Sequence, residues 1–83
     1  MDNWPDVELR QLHALRAIAA TGTFWAAAEQ LDVAQSTISD QVAGLEELTG
    51  QRLIERSRGR RTVKLTAAGR LLLGHVTAIE ARL

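Results

Sequence analysis

The sequence has no cysteine, so neither a disulfide nor a cysteine-ligated zinc ion can staple its 83 residues. No apolar run approaches the ~18 residues that cross a membrane, and no signal-peptide pattern opens the chain, so a cytoplasmic protein is expected. Net charge is also missing: ten basic residues balance ten acidic ones, which excludes a uniformly basic chain that binds any polyanion. There is no room for a second core, and at this length even one is marginal, which points to an oligomer or a neighbouring domain. Internal repeats and low-complexity tracts are absent. His13 and His75 stand on separate helical segments, with no carboxylate or second histidine at ligand spacing. No enzyme, metal or cofactor is therefore expected, and function is sought in a surface.

The charge that is present is segregated. Residues 1–51 carry a net −6, residues 52–64 a net +5 and residues 65–83 a net +1. Six cations fall within the middle stretch: Arg52, Arg56, Arg58, Arg60, Arg61 and Lys64. A short basic segment in an otherwise acidic chain suits a local polyanion contact better than a solubilising surface.

Helical periodicity dominates the rest. Asp6 is placed to cap a first helix with a stripe of Leu9, Leu12, Leu15, Ile18 and Ala19, which Gly22 ends. Thr23 caps a second helix, in which Phe24, Ala27, Ala28 and Leu31 fall at i, i+3, i+4 and i+7. After the break Asp32-Val33-Ala34, a third helix is read over 35–48. Ile38, Val42, Leu45 and Leu48 or Thr49 lie on its inner side, with Ser36, Asp40, Ala43 and Glu47 near the opposite pole. Two such helices joined by about three residues make a helix-turn-helix.

Beyond Gly50 the period changes. Leu53-Ile54 and Val63-Lys64-Leu65 are strand candidates around the turn chemistry of Ser57-Arg58-Gly59-Arg60-Arg61, a basic wing. Thr66 caps a last helix in which Gly69, Leu72, Val76, Ile79 and Leu83 are spaced 3, 4, 3, 4, the seam of a helix pair. Leu71, Leu72 and Leu73 put apolar groups on more than one side, so this helix packs on its own domain, on a partner, or on both. The expected fold is mainly α: a winged helix-turn-helix of three helices and a two-stranded wing over 1–65, then a long linker or dimerisation helix over 66–83.

A helix that reads DNA needs one face in the core and another carrying short polar groups for base edges. Gln35, Ser36, Thr37, Ser39 and Asp40 supply the second face, although residues of this kind also begin ordinary solvated helices. Gln35 suits a bidentate contact to adenine, and the Thr37 methyl suits thymine. Arg56, Arg58, Arg60 and Arg61 suit phosphates or a minor groove. Trp25 is turned away from Phe24 and Leu31, toward DNA, a partner or the lead-in segment.

In order and spacing, Glu8-Leu9-Arg10-Gln11-Leu12, Gly22-Thr23-Phe24, Ala27-Ala28, Val33-Ala34-Gln35-Ser36-Thr37-Ile38-Ser39, Leu53-Ile54-Glu55-Arg56 and Val63-Lys64-Leu65-Thr66-Ala67-Ala68-Gly69 resemble the N-terminal region of LysR-type transcriptional regulators. The resemblance implies transcription regulation by a homodimer on double-stranded DNA, paired through the last helix by Leu72, Val76, Ile79 and Leu83. It implies base reading by Gln35, Ser36, Thr37, Ser39 and Asp40, and a phosphate approach at Thr23 and Trp25, with the wing at Arg56–Arg61. A small-molecule effector is expected only on a C-terminal domain outside these residues. Two positions depart from the family's pattern: Asp40 stands where a basic or neutral polar residue is common, and Trp25 where a small polar or basic one is. A molybdate-responsive regulator shares this winged layout. A third reading is a winged protein-interaction module that leaves DNA untouched.

Overall fold

The computed structural model describes residues 6–56 and 62–82. In chain order the elements are α1 (Leu9–Thr21), α2 (Phe24–Leu31), α3 (Gln35–Thr49), β1 (Ile54–Glu55), β2 (Lys64–Leu65) and α4 (Ala67–Arg82). The expected winged helix-turn-helix with a trailing helix is the observed architecture.

The first helix starts on Glu8 rather than Asp6. Gln11, at the third helical position, folds back so that its Oε1 accepts the Glu8 N–H at 2.9 Å, half of a capping box. The buried face of α1 is Gln11, Ala14, Leu15, Ala17 and Ile18; of the expected stripe Leu15 and Ile18 are buried and Leu12 partly so, while Leu9 and Ala19 are exposed. At 100° per residue Leu9 lies about 180° from Ile18, and it is 59% exposed. Gly22 closes α1 at φ 84°, a left-handed conformation that a side chain would strain, and its N–H bonds the Ile18 carbonyl at 2.7 Å.

Thr23 caps α2 as read, its Oγ1 accepting the Ala26 N–H at 2.9 Å. Ala27 and Ala28 are buried, and their small side chains let α2 cross α1 and α3 closely. Ile38, Val42 and Leu45 anchor α3 in the same core, while Ser36, Asp40, Ala43 and Glu47 all face outward.

The wing strands are antiparallel, with Ile54 opposite Leu65 and Glu55 opposite Lys64. Their roots are tied to the helical core at two places. Val63 N–H donates to the Gly22 carbonyl at 2.8 Å. On the other strand, Glu46 Oε2 accepts the N–H groups of Leu53 and Ile54 at 2.8 and 3.3 Å, joining β1 to the last turns of α3.

The joint before α4 is closed by Thr66. Its N–H donates to the Leu53 carbonyl at 3.0 Å, its Oγ1 accepts the Gly69 N–H at 3.0 Å, and its hydroxyl donates to the Arg52 carbonyl. Gly69 passes directly over β1: a Cβ there would stand 2.2 Å from Leu53 O. The 3-4-3-4 spacing thus describes a face turned into the chain itself at its described positions. Gly69 is buried against Leu53, Leu72 packs partly on the core, and Val76 is 3% exposed. Val76 is therefore buried within the single chain, whatever a partner adds to this helix. The side chain of Ile79 and the whole of Leu83 lie outside the described residues. Leu71 is the large apolar group that α4 turns outward, at 68% exposure.

Candidate nucleic-acid interface

The start of α3 is the open end of the domain. Its N-cap is Ala34, which has no side-chain oxygen to offer. Thr37 and Ile38 N–H groups share the Ala34 carbonyl at 3.0 and 3.4 Å, and the earlier N–H groups are left pointing outward with the positive end of the helix dipole. Anions and hydrogen-bond acceptors are favoured there.

Around that end the residues expected to read bases separate into two groups. Gln35, Ser36 and Asp40 are exposed, whereas Thr37 and Ser39 are half-buried beside the anchored face. Their shared origin is the helical repeat: Ile38 and Val42 fix the inner side, so the residues between them rotate outward.

Thr23 and Trp25 sit on the first turn of α2, close to the same end. Thr23 Oγ1 is occupied as an acceptor by Ala26, which leaves its hydroxyl proton for an external oxygen. Trp25 is 61% exposed, as its turn away from Phe24 and Leu31 required. Arg56 reaches across from the wing, its guanidinium carbon 5.4 Å from the Phe24 ring centroid, a cation–π distance that brings a positive charge beside α2. Arg58, Arg60 and Arg61 lie outside the described residues.

Two shallow concavities meet here. The first is lined by Thr23, Phe24, Trp25, Gln35 and Val63, and the second by Trp25, Ala28, Glu29, Asp32, Val33 and Gln35. Trp25 and Gln35 belong to both and form the ridge between them. Among the described residues no carboxylate lines the first, and Arg56 lies beside it on Phe24; the second carries two. Asp32 is held there by a left-handed turn, φ 56°, that closes α2. Among the described residues no group of three or more histidine, cysteine or acidic side chains is placed to hold a metal ion. No described helix is long and apolar enough to cross a membrane.

Four contributing residues were not singled out from sequence. Val33 is 41% exposed at the mouth of α3, two residues before Gln35. Glu29 and Asp32 flank the same mouth, one helical turn apart on α2 and its C-cap. Glu46 fixes the wing to α3 through bonds to residues seven and eight positions further on, for which helical spacing carries no signal.

Residues 9–70 match the family described as "Bacterial regulatory helix-turn-helix protein, lysR family". The chain belongs to the LysR family. That decides for the LysR layout over the molybdate-responsive one. Among its relatives are YdcI of Escherichia coli K12, an uncharacterized HTH-type transcriptional regulator, and a probable hydrogen peroxide-inducible genes activator of Mycobacterium xenopi. The first is 41% identical over 73 residues, covering 88% of this chain and 23% of that protein. The second is 49% identical over 71 residues, covering 86% and 36%. The chain thus spans about a quarter to a third of the length of these LysR-type relatives. In three dimensions it is similar to the CbnR DBD in its crystal structure with DNA, at a TM-score of 0.82 and 40% identity over 89% of this chain and 83% of that one. The BenM DBD bound to catB site 1 DNA gives 0.82 and 35% over 90% and 82%.

Proposed function

We infer that this LysR-family chain binds a particular double-stranded DNA sequence as a dimer and thereby regulates transcription, without enzymatic chemistry. In this reading α3 enters the major groove by its N-terminal end. Gln35, Ser36 and Asp40 meet base edges there, with Thr37 and Ser39 at the margin. Thr23, Arg56 and the wing arginines Arg58, Arg60 and Arg61 engage phosphate or the adjoining minor groove.

One observation carries the reading. The uncapped, outward end of α3 stands beside Thr23 and an arginine in a domain 40% identical to one crystallised on DNA. Trp25 is the family departure with the largest consequence, since its indole fills the first turn of α2 where a small polar group would meet a phosphate.

The dimer contact is assigned to the outward side of α4. Leu71 adds an exposed apolar contact to Leu72, which the core covers only in part, and the proposed seam continues through Val76, Ile79 and Leu83. A small-molecule effector belongs, in this reading, to a C-terminal domain outside these residues, and the place of action is the cytoplasm.

Fluorescence anisotropy with duplex DNA at increasing salt tests the binding. Log affinity is expected to fall linearly with log salt, by about 0.9 for each phosphate neutralised, and Arg58→Ala with Arg60→Ala flattens that slope. A salt-independent affinity would instead favour a protein-interaction module. Leu71→Asp is expected to shift the chain from dimer to monomer in sedimentation equilibrium. An unchanged mass would place the dimer contact elsewhere.

A further inference from the structure

We propose that the cleft formed by Trp25 and Val33 receives the 5-methyl group of a thymine, next to an adenine held by Gln35, so that α2 and the turn before α3 take part in reading the sequence. The inference rests on the DNA-binding reading above and assigns a base to one part of that surface.

The cleft is the second concavity at the α3 end. Its apolar walls are Trp25, 61% exposed, Val33, 41% exposed, and the Ala28 methyl. Trp25 and Val33 leave apolar surface in water within the one concavity that Gln35 also lines, and an apolar group seated there would cover it. Its polar lining excludes the commonest feature of DNA. Glu29 and Asp32 place two carboxylates in the same cleft, and a phosphate entering it would meet like charge with no cation among the described lining residues. The phosphate-compatible concavity is the other one, across the Trp25–Gln35 ridge, where Thr23 stands and no carboxylate is present.

A base edge fits where a phosphate does not. In the major groove thymine presents a methyl group and adenine presents the acceptor–donor pair that a glutamine amide matches. An apolar cleft with a glutamine on its rim therefore complements an A·T step. Trp25 thus divides the surface, with backbone on its Thr23 side and base on its Val33 side.

The test uses duplexes selected from a random pool by the 83-residue chain, with deoxyuridine replacing thymidine one position at a time. Loss of one methyl is expected to weaken binding about fourfold at one position in each half-site. The Trp25→Ala, Val33→Ala double variant, whose replaced groups are exposed, is expected to bind the thymine and uracil duplexes equally well. Trp25→Phe keeps an apolar wall and is expected to keep the discrimination. The proposal is overturned if no thymine is sensitive in the parent chain, or if the sensitivity survives in the double variant. It is also overturned if cytosine is preferred at that position and Glu29→Gln removes the preference. A parent chain that binds with normal salt dependence but ignores uracil sinks this inference alone. One with no salt-dependent binding sinks the DNA reading itself.

Discussion

The starts of α3 and α4 are built in opposite ways. At α4 the polar groups of Thr66 are all turned onto the chain: its Oγ1 accepts from Gly69 and donates to the Arg52 carbonyl, its N–H bonds Leu53, and Gly69 leaves no gap over Leu53. At α3 the cap is an alanine and the groups around it face water. Under the inferred mode of DNA binding, the same local event, a chain entering a helix, serves as a joint in one case and as a contact surface in the other. A helix end that forgoes a stabilising cap, worth about 1 kcal/mol, is one kept open for something else.

Substitutions at the two ends separate these roles. The largest effect is expected at the closed end. Gly69→Ala forces a methyl into a backbone oxygen and should cost about 3 kcal/mol in urea unfolding. A loss under about 1 kcal/mol would mean that the crossing has slack. Next comes Gln35→Ala at the open end, which should leave stability unchanged and cost about 1–3 kcal/mol on the preferred duplex, relaxing one base position. Equal loss on every duplex would make Gln35 a positioning residue. The smallest effects form a mirror pair. Thr66→Ala should lower stability by about 1 kcal/mol with little effect on intrinsic DNA affinity. Ala34→Asp should raise stability by up to about 1 kcal/mol while weakening DNA binding, because the new carboxylate occupies the N–H groups and repels phosphate. If Ala34→Asp leaves binding intact, the open end is not in contact with DNA.

Much of this architecture was legible because it depends on local chemistry. Gly22, Thr23, Gly50 and Thr66 mark boundaries through positive φ or side-chain caps, and each bounds the element it was expected to bound. The outer face of α3 follows from the helical repeat alone. What failed depends on which neighbour a residue meets. Asp6 and Glu8 are both cap-capable, and the Gln11 amide decides for Glu8. A seam-like spacing does not say what the last helix packs on, and only the closeness of Gly69 to Leu53 reveals that its first turn lies on its own chain. Of the interface, Gln35, Ser36, Asp40 and Trp25 were readable as outward-facing. Val33, Glu29 and Asp32 were not, because a concavity is made by residues that spacing along the chain does not bring together.

The Glu46 carboxylate turns the reading helix and the root of the hairpin into the two arms of a caliper with a fixed opening. When one arm is seated in the major groove, the other arrives at a set distance along the duplex. A straight double helix that does not match that span must flex to be gripped by both arms. Under the inferred mode of binding, pliable base steps between the two contacts are then favoured, and selectivity extends to nucleotides that no side chain reaches.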